Sequence, residues 1–216
     1  GDLHVHTTLS FDASAFGTTA SPADAYRYAQ GEAITHPGGF EVQLAQPLDF
    51  YAVTDHAVLL GLINEAADTS TPFSQYALAK PYHNINESVG GGLLDLAKRS
   101  KVFNNFISDV VASLLDGTLD AATVNEASKS AWVQTVEAAN EAYKPGTFTT
   151  FAGYEFSSST KEREALHRNV IFRDGKDKVG KVEPLDPGDA KWPEHLWDYM
   201  EAYEKDTGGK VLAIPH

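Results

Sequence analysis

The chain has 216 residues, 42% of them hydrophobic, and a formal net charge of −13. This is enough length and apolar content for one domain with its own core, while the acidic balance argues against nucleic-acid binding, which needs clustered Lys and Arg. Cysteine is absent, so disulfides are excluded, and a metal site would have to use His, Asp and Glu, ligands suited to zinc, manganese or iron.

Residues 1–6 read as a short strand, with His4 and His6 two apart and therefore on one face. A Ser/Thr/Ala/Gly loop follows to about residue 20, and Ser21-Pro22 caps a helix running to Ala29 and ending at Gly31. Pro37-Gly38-Gly39 marks a turn. Residues 48–54 form an apolar, partly β-branched run suited to a buried parallel strand, and it ends in Asp55 and His56. Helix is expected at 57–67, an irregular excursion at 68–90 with Gly90-Gly91-Gly92 beyond it, and long helices at 93–115 and 120–143 with Asp120 as N-cap. Together, 68–146 reads as a helical insertion within a single domain, 1–216. Strands are expected at 148–156 and 167–172, separated by a polar Ser/Thr loop. After a Gly/Lys/Asp-rich loop, a helix at 193–205 and a strand at 210–214 lead to His216. Strands alternating with helices predict an α/β fold with parallel strands. No apolar run reaches the roughly 18 residues of a membrane span, and cytoplasmic, periplasmic and secreted locations all stay open.

Strand after strand ends in a side chain that can bind metal. Alone, His4 and His6 are a weak motif that ordinary strand residues would also produce. Asp2 is either an acceptor fixing one of the two rings or a solvated chain start. Asp12 can be a ligand or a turn former. Asp55 and His56 place two costly groups at the edge of a core, with a helix N-cap as the alternative for Asp55. Glu155 interrupts an aromatic strand and needs a cation there: either metal, or Arg168 or Arg163 in a buried ion pair. His167 and Asn169 share a strand face, so Asn169 can serve a pocket that His167 lines. Arg168 is adjacent and a candidate for holding an anionic substrate, although alternation points it away and favours a structural ion pair. His36, His83 and His195 lack this context and read as non-ligands, although His83 could face the pocket from the insertion, and Trp192, Trp197 and Tyr203 read as core.

The order of these motifs, His-x-His with a following acid, Thr54-Asp55-His56, Gly153-Tyr154-Glu155, a strand His and Pro215-His216, resembles the PHP superfamily, named for polymerase and histidinol phosphatase. Within it, Gly1-Asp2-Leu3-His4-Val5-His6-Thr7 and Ser10-Phe11-Asp12-Ala13 resemble the branch catalogued as domain of unknown function 3604. The resemblance implies a distorted seven-stranded, TIM-like β/α barrel holding two or three divalent ions (zinc, manganese or iron). It implies that His4 and His6 bind the first ion, Glu155 bridges the first and second, His167 and His216 complete the second, and Asp12 and His56 bind a third. Asp12 stands where many members carry histidine. The final Asp-x-His motif is missing, so the chain is expected to be the N-terminal portion of a longer polypeptide. The implied activity is hydrolysis of a small anionic phosphate ester by metal-bound hydroxide, with Asp55, His56, Glu155 and His167 in catalytic roles and Arg168 and Asn169 on the substrate. Hydrolysis of another ester or an amide, or a non-catalytic metal module, are the alternatives.

Overall fold

The computed structural model describes residues 1–87, 93–160, 163–186, 188, 190 and 192–216, with the backbone alone for 93, 94, 159, 160 and 163–165. The Gly90-Gly91-Gly92 signal and the proposed pairing of Arg163 with Glu155 lie outside the described residues. The elements are α1 (Phe11–Ala15), α2 (Pro22–Ala29), β1 (Ile34–Thr35), β2 (Glu41–Val42), β3 (Phe50–Val53), α3 (Leu62–Ala67), two short 3-10 turns, α4 (Leu93–Leu115), α5 (Ala121–Ala142), β4 (Thr149–Thr160), β5 (Arg163–Phe172), α6 (Lys176–Val179), α7 (Pro193–Thr207) and β6 (Val211–Pro215).

Local chemistry sets the helix ends. Ser21 and Asp24 form a reciprocal capping box at the start of α2, with Pro22 at its first position, and Gly31 beyond the helix takes φ +84°. Asp120 caps α5 through the amide of Ala122. Pro37-Gly38-Gly39 lies in the connection of the small β1–β2 hairpin, as its turn chemistry predicts.

The main sheet is mixed, which corrects the expectation of parallel strands. β3 and β4 are parallel, but β5 is antiparallel to β4, and β6 is antiparallel to β5. The reason lies between β4 and β5. Residues 157–160 and 163–166, read as a polar loop, extend both strands instead, and the connection left at 161–162 is too short for a crossover. Among the described residues, six strands form two sheets and no barrel closes. The seven-stranded barrel is not formed by these strands.

The N-terminal residues run along the free edge of β3, yet pair as a regular strand only at Asp2, which bridges to Tyr51. The carbonyls of Asp2 and Val5 accept from the amides of Ala52 and Thr54, so this segment uses one residue more than β3 over the same stretch. That is a bulge, and it reverses the alternation of side chains. Asp2 secures it by accepting the backbone N–H of His4 at 3.1 Å, a role for Asp2 that involves neither imidazole ring. Beyond the bulge, Val5 packs on the core and His4 and His6 turn to the opposite face.

The face on which Val5 packs, the outer face of the sheet, carries the main core. Tyr51, Val53, Tyr154, Phe156, Val170 and Phe172 pack with residues of α2, α5 and α7. Tyr203 belongs to this core at 2% exposure, whereas Trp192 and Trp197 are 38% exposed, against the expectation for both. A second core joins α1, α3, the 3-10 turns and α4 around Phe106, Phe73 and Ile63. The expected insertion is thus divided between two cores, because α5 covers the sheet while α4 braces α1 and α3.

Candidate metal centre

The inner face of the sheet gathers the polar residues at one end. Glu155 and Ser157 alternate along β4, and their register partners on β5 are Asn169 and His167. β3 continues beyond Val53 far enough for His56 to bridge to Glu155. On β6, Leu212 and Ile214 share this face, and His216 follows with its amide donating to the carbonyl of His167.

Glu155 is the hub, 1% exposed and with both oxygens engaged. Its Oε2 lies 2.7 Å from His6 Nε2 and 3.1 Å from His4 Nε2. Its Oε1 touches His167 Nδ1 and lies 3.2 Å from His216 Nε2 and 3.6 Å from His56 Nδ1. Asp12, at the start of α1, forms a second acidic point: Oδ2 is 3.2 Å from His6 Nδ1 and 3.6 Å from His56 Nε2. Every residue expected as a ligand reaches this cluster: His4, His6, Asp12, His56, Glu155, His167 and His216.

The electrostatics follow from burial opposed by neighbours. Burial raises the cost of charge on Glu155, but His6, His56 and His167 outweigh it and hold the carboxyl down at about 2. Asp12 is likewise opposed by burial and held well below the carboxylate range by His56, His6 and Ser10. Burial disfavours the His6 cation, yet Asp12 and Glu155 hold it up at about 10. Burial, with His4 and His167 nearby, holds His216 below its usual value against the pull of Glu155.

The donor set fits a divalent metal. Three overlapping groups have ligand atoms mutually within 4.8 Å: His4, Glu155 and His216; His6, Asp12 and His56; and His56, Glu155 and His167. Two ligand atoms about 2.1 Å from one tetrahedral ion stand about 3.4 Å apart, and the nitrogen to oxygen distances of 2.7–3.6 Å bracket that value. The grouping divides the residues differently from the expectation, with His6 beside Asp12 and His216 beside His4.

Other predicted residues take different places. Asp55 faces away from the cluster and accepts the amide and hydroxyl of Thr7, the hydroxyl at 2.7 Å. Complete burial pushes it up to about 6 against those two bonds. Arg168 is on the opposite face of β5, its guanidinium 5.1 Å from the centre of the Trp197 ring, and among the described residues no carboxylate pairs with it. Asn169 is 3% exposed beside Glu155, and its Oδ1 has no partner among the described residues. His36 stacks on Phe40 and His83 contacts the carbonyl of Ser74; neither they nor His195 join a metal-competent group among the described residues.

Two serines and one threonine had no assigned role. Ser10, fully buried, donates to Asp12 at 2.5 Å, lies 3.2 Å from His6 Nδ1 and accepts the His56 amide. Ser157 Oγ lies 2.8 Å from His56 Nδ1 and 3.2 Å from His167 Nδ1. Thr7 binds Asp55. Their signal was position: Ser157 is two residues beyond Glu155 in an extended run, and Ser10 is two before Asp12.

A family model described as a protein of unknown function, DUF3604, matches residues 1–216. No curated protein and no solved structure matches the chain.

Proposed function

Because the chain belongs to the DUF3604 family, whose description carries no activity, the site must supply the reading, and we propose that it is a metal-dependent hydrolase of the PHP kind, acting on phosphate esters. One observation carries this reading: five imidazoles, those of His4, His6, His56, His167 and His216, converge on Glu155, a carboxylate that is almost wholly buried, with Asp12 beside two of them. A buried acid surrounded by five histidines is costly as a structural device. It is economical as a site for two or three divalent ions.

Bound zinc, manganese or iron would supply Lewis acidity and lower the pKa of water near a phosphoryl group. The protein's own residues hold that arrangement. Glu155 offers one oxygen to His4 and His6 and the other to His56, His167 and His216, so it is placed to bridge. Asp12 offers a second carboxylate beside His6 and His56, 3.2 Å from His6 Nδ1 and 3.6 Å from His56 Nε2. Asp55 acts at a distance, pinning Thr7 so that the chain turns directly after His6. Concentrated positive charge here would also let a protein of net charge −13 accept an anion.

The barrel belongs to this reading too. Curling of the sheet, which brings the rings of His4 and His216 within 4.0 Å of each other, supports its being one sector of a PHP barrel. Phe50, Leu212 and Ile214 lie exposed on its inner face, where a barrel would bury them.

The test combines metal analysis of the full-length protein with assays on phosphate, sulfate and carboxylic esters. Two or more ions per chain and turnover of a phosphate ester, abolished by chelation, are expected. Metal-dependent turnover confined to other esters would move the reading to a different hydrolase. Fewer than two ions, with His6→Ala unchanged, would leave a non-catalytic module.

A further inference from the structure

His56 stands between two of the three ligand groups. Its Nε2 faces Asp12 and its Nδ1 faces Glu155 and His167. A neutral imidazole has one lone-pair nitrogen and one N–H, so it can serve only one of these groups. Resting on the metal-dependent reading above, we propose that Ser157 makes that choice, as a positioning residue that directs His56 through Nε2 to the group containing His6 and Asp12.

Geometry favours this direction. The closest polar contact of Nδ1 is the Ser157 hydroxyl at 2.8 Å, well inside the 3.6 Å to Glu155 Oε1. A serine oxygen accepts the Nδ1–H and still has its own O–H, which can turn toward His167 Nδ1, 3.2 Å away. The serine is held by the sheet, two residues beyond Glu155 on β4 and in register with His167 on β5. From the other side, the His56 backbone amide donates to Ser10, which also binds Asp12. His56 is therefore fixed at its backbone to the Asp12 side and at its ring by Ser157. Histidine ligands are commonly oriented by such a bond to the second nitrogen, and losing it weakens metal binding by about 10–100-fold.

The experiment is 15N NMR on histidine-labelled full chain, metal-free and zinc-loaded, with His56 assigned from a His56→Gln variant. The expected wild-type spectrum shows His56 protonated at Nδ1 in both forms. Ser157→Ala is expected to give mixed tautomers and about ten-fold weaker retention of one zinc, and Ser157→Thr, which keeps the hydroxyl, to restore both. A wild type with the proton on Nε2, or a Ser157→Ala protein with unchanged tautomer and zinc affinity, would overturn the role of Ser157 alone. A wild type that takes up no zinc would overturn the metal reading and this proposal together. Should Ser157→Ala fail to fold, the wild-type tautomer and the threonine variant still decide.

Discussion

Glu155 shows how much one residue type can reveal when its setting is wrong for it. A carboxylate between Tyr154 and Phe156 pointed to a cation before any fold was known, and what surrounds it is a ring of five histidines, among them the His6 cation. Glu155→Gln is expected to lower apparent metal affinity by at least about 100-fold, the upper end of what lost supporting bonds cost; metal content after dialysis against a weak chelator would check it. Asp55 is a different case. Its position after an apolar strand suggested chemistry, but whether it faced the cluster or Thr7 depended on a turn that residue types do not encode. Its buried carboxyl titrates near 6 instead of 3.8. An acid raised in this way adds stability below about pH 3.8 that is lost as pH rises through about 6, an amount of about 3 kcal/mol. The stability advantage of wild type over Asp55→Asn is therefore expected to shrink by up to that amount between pH 4 and pH 7, as measured by denaturant unfolding at each pH.

Among the elements, the long helices were legible because their caps and length are local properties: 93–115 coincides with α4, and Asp120 caps α5 as expected, whereas the short α1 and α6 lie in stretches that read as loop and α3 begins at Leu62 instead of 57. The strands were harder. Residues 157–160 and 163–166 carry Ser, Thr, Arg and Glu, which look like a loop, and only pairing between β4 and β5 turns them into strand, a tertiary effect that overrides propensity. Likewise the His-x-His spacing was read correctly as a shared face, but the bulge that chooses which face is a relation between two distant segments. The junction of β3 and β4 offers a test at this scale. The Tyr26 hydroxyl, reaching up from α2, donates to the Phe151 carbonyl and accepts from the Val53 amide, within a buried environment. Tyr26→Phe is expected to cost about 1–3 kcal/mol, since it removes a buried partner from both groups; urea unfolding would measure it, with metal content unchanged.

For the molecule as a whole, metal and fold are expected to stabilise each other. Ligands must lose protons to bind metal, and the His6 cation persists to about pH 10 in the metal-free protein, so zinc uptake at pH 7.5 should release protons and tighten as pH rises. Calorimetry in buffers of different ionisation enthalpy would count them. At 100 times the dissociation constant, one ion adds about 2.7 kcal/mol, a rise of roughly 5–10 °C in melting temperature for a chain of this size. Calorimetric melts with and without chelator would show no shift if the cluster held no metal. The near-contact of His4 and His216 gives that stabilisation a particular form. These rings lie at the two outermost margins of the curled sheet, and almost the entire chain runs between them. An ion shared by them would act as a cross-link closing a loop of about two hundred residues, removing on the order of 5 kcal/mol of chain entropy from the unfolded ensemble. Unlike a disulfide, such a clasp would open and close with the supply of metal.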